Sequence, residues 1–388
     1  PSLPLPSRGG VRGEVGDFVG EAVQGAHAMG LKFIAELHPS QVQETFQFFV
    51  EHEAVYHGLS SLAKVCLITP NQSYPYDKES EGAYRGMFRL LTENHILFDC
   101  VYDFILDEGQ TEQSMEKYDL LVLPETACLS DSQLEAIDHF VYHGGALLAT
   151  GETGLFDEEG RPRDGYGLRC LGVEKVKMVR DTMRPTYLRI HATQQMHAFQ
   201  DTGLIYFDGS YLYATMKEGA TASWTLVSPS TDGCPEKCFL SKVKTHLPGV
   251  IRYTYGEGKT AYFPWHVDGL YYRHSSSGHE KAVLSVLLNL CNDDRQIVTN
   301  AHPFTEIDLF AQAEGKYVLN LVNTPGHRST ALFETISMVD VEVKMKLPAK
   351  VQSAFSLKRN HALDLWQENE YTCIRLEWFE LFDTVVIS

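Results

Sequence analysis

At 388 residues the chain is longer than one ordinary core supports, and domain-size priors favour two or three domains. With 44% apolar and 22% charged residues it has the composition of globular material. Its formal net charge of −18 argues against nucleic acid and anionic membrane as partners, because such surfaces are held largely by Lys and Arg neutralising phosphates.

No stretch approaches the roughly 20 consecutive apolar residues that span a bilayer, so a soluble chain is expected. The first ten residues, PSLPLPSRGG, carry no apolar h-region and no initiating Met, and read as a fragment or processed end rather than a signal peptide. Cys66, Cys100, Cys291 and Cys373 sit in apolar strand-like runs, the pattern of reduced, buried thiols in a cytoplasmic protein. Cys234 and Cys238, in CPEKC, are close and polar but lack two further ligands at matching spacing, so no metal site and no cofactor is expected.

In chain order, residues 14 to 30 read as a helix and 31 to 37 as a buried strand. A second helix begins beyond Pro39, capped by Ser40, with Val42, Phe46, Phe49 and Val50 on its apolar face. From residue 64 strands and helices alternate. Strands are expected at 64–69, 98–103, 119–124 and 146–151, with helices over about 76–95, just before Lys117, and from Asp131 to His143. Near-continuous apolar strands separated by helices predict a parallel sheet covered on both faces. Tyr84, Met87, Phe88 and Leu91 mark the inner face of one helix, and Leu134, Ile137, Phe140 and Val141 that of another, which Ser130 caps. Asp138 and His139 read as solvated surface of the latter.

Residues 155 to 256 read as a β-rich insertion, after which KTAYFPW (259–265) and a helix over 279–291 return to the α/β pattern. From about residue 303, six short alternating runs separated by Gly, Pro and Asn predict an antiparallel sandwich.

Three stretches together resemble the β-galactosidase trimerisation domain, a relative of class I glutamine amidotransferases found in glycoside-hydrolase-like proteins. They are YDLLVLPETACLSDSQLEAIDHFVYHGGALLATGETGLFDEEGRPRDGYGLRCLGV (118–173), YGEGKTAYFPWHVDGLYYRH (255–274) and KYVLNLVNTPGHR (316–328). The resemblance covers about residues 60 to 388. It implies an α/β fold, a flavodoxin-like doubly wound parallel sheet with a β-rich insertion, followed by an all-β antiparallel sandwich. The implied division is 1–60, an α/β segment left from a preceding TIM barrel; 61–300, the amidotransferase-like domain; and 301–388, the sandwich. In that family the barrel carries the catalytic carboxylates, and a barrel of about 250 residues does not fit before residue 60.

The candidate chemistry follows from this. Glu36, in FIAELHP, is either a carboxylate at the end of a barrel strand or an exposed loop residue, and alone it cannot hydrolyse a glycoside. An amidotransferase nucleophile would stand at the elbow after ALLATG, where the residues are Thr150, Gly151 and Glu152. Cys128 stands one strand too early and reads as a buried thiol. The loop after this strand places Glu152, Asp157 and Arg163 at the sheet edge where ligands of open α/β sheets bind.

The segment PWHVDGLYYRHSSSGH is the richest polar constellation. Trp265, Tyr271, Tyr272, Arg273 and His279 suit a sugar or a protein interface. Two rivals stand beside a non-catalytic assembly module. One is a hydrolase using Glu152, His266 and Asp268; the other is a carbohydrate-binding module. Expected partners are further copies of the chain, an upstream barrel or a carbohydrate.

Overall fold

The computed structural model describes residues 39–107, 115–191, 199, 202–227, 244–324, 327–328, 331–332 and 335–388. The helix expected over 14–30, the strand carrying Glu36 and the Cys234–Cys238 pair lie outside these residues. The first described helices are α1 (Pro39–Glu51) and α2 (Glu53–Tyr56). Because α1 already includes Pro39, Ser40 is inside the helix rather than its cap. Its buried face also differs from the expected one. Phe48 meets Phe382 at 5.0 Å between centroids, while Val50 is exposed.

Strands β2 (Val65–Thr69), β3 (Phe98–Tyr102), β4 (Leu120–Leu123), β5 (Ala146–Thr150) and β10 (Gly258–Phe263) pair in parallel in the spatial order β3-β2-β4-β5-β10. Period-2 alternation sends Val65, Leu67 and Val122 to one face and Cys66, Ile68 and Leu121 to the other. Helix α3 (Glu79–Glu93) covers the first face with Met87, Leu90 and Leu91, and α4 (Asp131–Tyr142) covers the second with Leu134, Ile137 and Val141. Ser130 caps α4 as expected: Gln133 N donates to Ser130 Oγ, and the Gln133 side chain closes the capping box. Two further helices, α5 (Val267–His274) and α6 (Ser277–Leu290), follow β10. The α6 residues Val283, Val286 and Leu287 join the α3 side of the core.

The sheet is mixed rather than purely parallel. Strands β6 (Val173–Arg189), β7 (Leu204–Met216), β8 (Thr221–Val227) and β9 (Lys244–Tyr255) extend it antiparallel, in the order β10-β9-β8-β6-β7. The reason is local. β9 turns straight into β10 through the two-residue loop Gly256-Glu257, and Gly256 has φ +60, as such hairpins require at that position. The β-rich insertion therefore occupies the edge of β10 as part of the same sheet.

A second, curled antiparallel sheet contains β1 (Ser60–Ser61), β11 (Ile297–Thr299), β12 (Thr305–Gln312), β13 (Lys316–Asn323), β16 (Met338–Met345), β17 (Ala354–Ser356), β18 (His361–Glu368), β19 (Tyr371–Phe379) and β20 (Phe382–Ile387). The short pair β14 (His327–Arg328) and β15 (Ala331–Leu332) stands apart. The curl brings Leu319, Leu321 and Val385 from one half together with Val343, Ile374 and Leu376 from the other in one core. No helix among the described residues is long and apolar enough to cross a membrane.

Candidate functional site

Ligands of open α/β sheets bind beyond the carboxyl ends of the strands, where the strand order reverses. Here that point lies between β2 and β4. Beside it, the residues just beyond β4, β5 and β10 converge into a buried polar cluster. Glu125 and Asp268 are 0% exposed and His266 3%. His266 Nδ1 stands 2.7 Å from Glu125 Oε2, and the backbone N–H of Glu152 donates to Glu125 Oε1 at 2.7 Å. Thr150 links the cluster, accepting from Glu125 N at 2.9 Å and donating to Asp268 Oδ2 at 2.6 Å. Gly269 N donates to Asp268 Oδ1 at the first turn of α5, where the helix dipole favours a carboxylate.

The electrostatics follow from burial. Burial works to lower the His266 pKa, but the Glu125 carboxylate beside it, with Asp268 and Glu79, holds it up at about 9. Burial pushes Glu125 upward against the pull of His266, and it raises Asp268 against the hydrogen bonds from Thr150 and Gly269. His266 Nε2 has no hydrogen-bond partner among the described residues.

The elbow after β5 is the most constrained point. Gly151 has φ +51, and a Cβ there would stand 1.6 Å from Glu125 Oε2. The Glu125 carboxylate thus fills the space that an elbow side chain would take. Glu125 itself has φ 43, a left-handed conformation uncommon for a residue with a side chain. It is held by Thr150 at its N–H, by Ser80 Oγ at 2.8 Å from its carbonyl, and by His266 and Glu152 at its carboxylate. After β5 the chain enters a series of turns rather than the helix that would follow a nucleophile elbow.

The candidates read from the sequence divide accordingly. His266 and Asp268 do come together, but the partner of His266 is Glu125, and Glu152 enters through its backbone. The nearest signal in the sequence was the position of Glu125 just after strand DLLVLP, at the point where the strand order reverses. Trp265 and Tyr271 form no surface platform: both are core residues. Trp265 Nε1 donates to the Gly249 carbonyl at 2.7 Å, and the Tyr271 hydroxyl bonds Glu93. Tyr272 and Arg273 are exposed, and His279 is buried.

Arg163 pins its loop to α4 through Asp131 at 2.5 Å and the Leu129 carbonyl at 2.6 Å, while Asp157 accepts from Glu159 N and Arg161 N within the loop. Asp138 is buried, not solvated, because it accepts from Cys170 N and from Arg169. Cys128 is buried, and burial pushes its thiol up to about 11. Among the described residues no His, Cys, Asp and Glu side chains group as metal ligands. A wide opening of about 1990 Å³ lies at the opposite, amino-terminal edge of the strands, lined by Lys64, His143, Lys259 and Arg295 among others, away from the polar cluster.

Solved glycoside hydrolases share this fold. An α-L-fucosidase isoenzyme 2 from Paenibacillus thiaminolyticus superposes with a TM-score of 0.70 at 20% identity over 89% of this chain and 51% of that one. For a β-galactosidase from Bacillus circulans sp. alkalophilus the values are 0.58, 13%, 89% and 44%. For one from Rahnella sp. R3 they are 0.54, 16%, 87% and 43%. The chain thus spans about half the length of these glycoside hydrolases, and at these identities the likeness is one of fold. No protein-family model and no curated protein sequence matches the chain.

Replacing Gly151 by Ala should destabilise the protein by about 3 kcal/mol or more, since the new Cβ is strained by φ and collides with Glu125. Denaturant unfolding measures this; a change within about 0.5 kcal/mol would show that the elbow is not packed as described.

Proposed function

We propose that this chain is the non-catalytic, structural and assembly portion of a glycoside-hydrolase-like protein. In this reading residues 61–300 form a β-galactosidase-trimerisation domain of amidotransferase-like ancestry, residues 301–388 form a β-sandwich, and residues 1–60 belong to the end of a preceding barrel. The observation that carries it is the filled elbow: Gly151 stands at the nucleophile's position and the Glu125 carboxylate occupies its space. The order β3-β2-β4-β5-β10 supports the flavodoxin-like assignment, because it puts the second parallel strand outside the first and the rest in sequence. Coverage of about half of each glycoside hydrolase fits a chain that lacks the catalytic barrel. The rival hydrolase reading needs His266 and Asp268 to reach substrate, and both are buried.

Two measurements test the proposal. A glutamine-analogue electrophile should label no cysteine, and aryl glycosides should show no turnover above background. Turnover abolished by Glu152→Gln would replace the assembly reading with the hydrolase one.

Self-association should run through the α/β domain and strengthen with ionic strength, since a net charge of −18 repels between copies and salt screens it. Light scattering across salt and protein concentration measures this, with Tyr272→Ala as the variant expected to weaken it. A monomeric mass under every condition would contradict it.

A further inference from the structure

The carboxyl end of α4 presents two histidines, one turn apart, to solvent. His139 lies in the last turn and His143 is the C-cap, and both are exposed. Positions four apart are neighbours on one face of a helix, and here the ring centroids are 4.0 Å apart with 42° between the planes. Both residues line the opening of about 1990 Å³ at the amino-terminal edge of the strands, so solutes reach them directly. Glu135, one turn earlier on the same face, is exposed on that wall as well.

The local hydrogen bonds leave ring nitrogens for a ligand. His143 Nδ1 lies 2.9 Å from the His139 carbonyl oxygen. A carbonyl only accepts, so Nδ1 carries the proton of the neutral ring and Nε2 is left as a bare acceptor. A backbone carbonyl behind one imidazole nitrogen is the arrangement that orients metal-ligating histidines and raises their basicity. The His139 ring makes no hydrogen bond among the described residues, so nothing there holds it away from a shared ligand. The last carbonyls of α4 carry the negative end of the helix dipole, which favours a cation at this terminus. Lys64 and Lys259 line the same opening, but their ammonium groups are directed to the Lys117 carbonyl at 3.0 Å and to Asn292 at 3.2 Å. No three His, Cys, Asp or Glu side chains among the described residues preform a metal cage, so the helix offers a two-ligand clamp with an open outer side.

We infer that His139 and His143 chelate a divalent late transition metal ion, zinc or one of its neighbours, on the wall of this opening. Imidazole nitrogens suit zinc, copper and nickel, whereas magnesium and calcium take oxygen ligands. Zinc takes such nitrogens at about 2.0–2.1 Å, and two histidines at i and i+4 on one helix face are a spacing that meets this. Water fills the remaining positions, and the formal net charge of −18 raises the local concentration of any dication. The inference stands on this geometry and does not depend on the assembly reading.

Calorimetric titration of the full chain with zinc chloride tests it, together with nitrogen-15 NMR of the histidine-labelled protein. Zinc should bind in the micromolar range and shift the ring signals of His139 and His143 together, each identified by its loss in the corresponding variant. His139→Ala and His143→Ala should each weaken that binding about tenfold or more, and both sites are exposed, so the fold survives either change. His302→Ala, an exposed histidine between β11 and β12, should leave it unchanged. Excess magnesium should not displace the zinc. No zinc binding, or binding that shifts only other histidines and survives both substitutions, would overturn the inference. So would displacement by magnesium, which would point to a site built from carboxylates.

Discussion

The contact between Glu125 and His266 is the constraint on which the carboxyl edge of the sheet depends. It takes a carboxylate and an imidazole out of water at 2.7 Å, and desolvating both groups is offset only by their mutual attraction and by the hydrogen bonds that serve the carboxylate, since His266 Nε2 finds no partner among the described residues. Breaking one side of a buried pair costs on the order of 3–5 kcal/mol, because the other charge is then stranded. That penalty explains why so much of the local chain serves Glu125. Thr150 accepts its N–H, Glu152 donates to its carboxylate, and Gly151 gives up a side chain to make room. The same group that would crowd a catalytic elbow holds three strand ends in register.

The pair also sets how stability depends on pH. His266 is held above its ordinary value, to about 9, so over the interval between that value and an unfolded value near 6.5 the folded chain binds the extra proton. The stability contributed is full below the unfolded value and lost as pH rises through about 9. Glu125 and Asp268, both raised by burial, act in the same direction, so the cluster as a whole favours the acid side.

Much of the fold was legible because it rests on period and punctuation. The apolar runs at 65–69, 120–123 and 146–150 are buried on both faces, which makes them read as parallel strands, and Ser130 signals its helix through a capping box whose partner, Gln133, is local. The continuity of the insertion with the main sheet was not legible. Strands β6 to β9 alternate like any half-buried antiparallel strands, and the Gly256 hairpin that joins them to β10 leaves the same local pattern as a separate sheet would. Strand β18, HALDLWQE, carries little signal of a buried face, because its residues are partly or fully exposed throughout. At the site, His266 and Asp268 stood out as polar residues in an aromatic segment. Glu125 did not, since its role comes from a left-handed backbone and a glycine 26 residues later, neither of which has a local signature. Trp265 and Tyr271 misled for the opposite reason: an amphipathic aromatic looks alike in sequence whether its polar tip meets solvent or, as here, a buried carbonyl or carboxylate.

The most direct measurement is the ionisation of His266 itself. Nitrogen-15 NMR of the histidine-labelled protein, with His266 identified by comparison with His266→Gln, reports its protonation from pH 6 upward. The account predicts an imidazolium at neutral pH that titrates near pH 9. Titration at an ordinary histidine value near 6.5 would contradict it, since His266 would then lack the buried Glu125 carboxylate that closes the sheet edge.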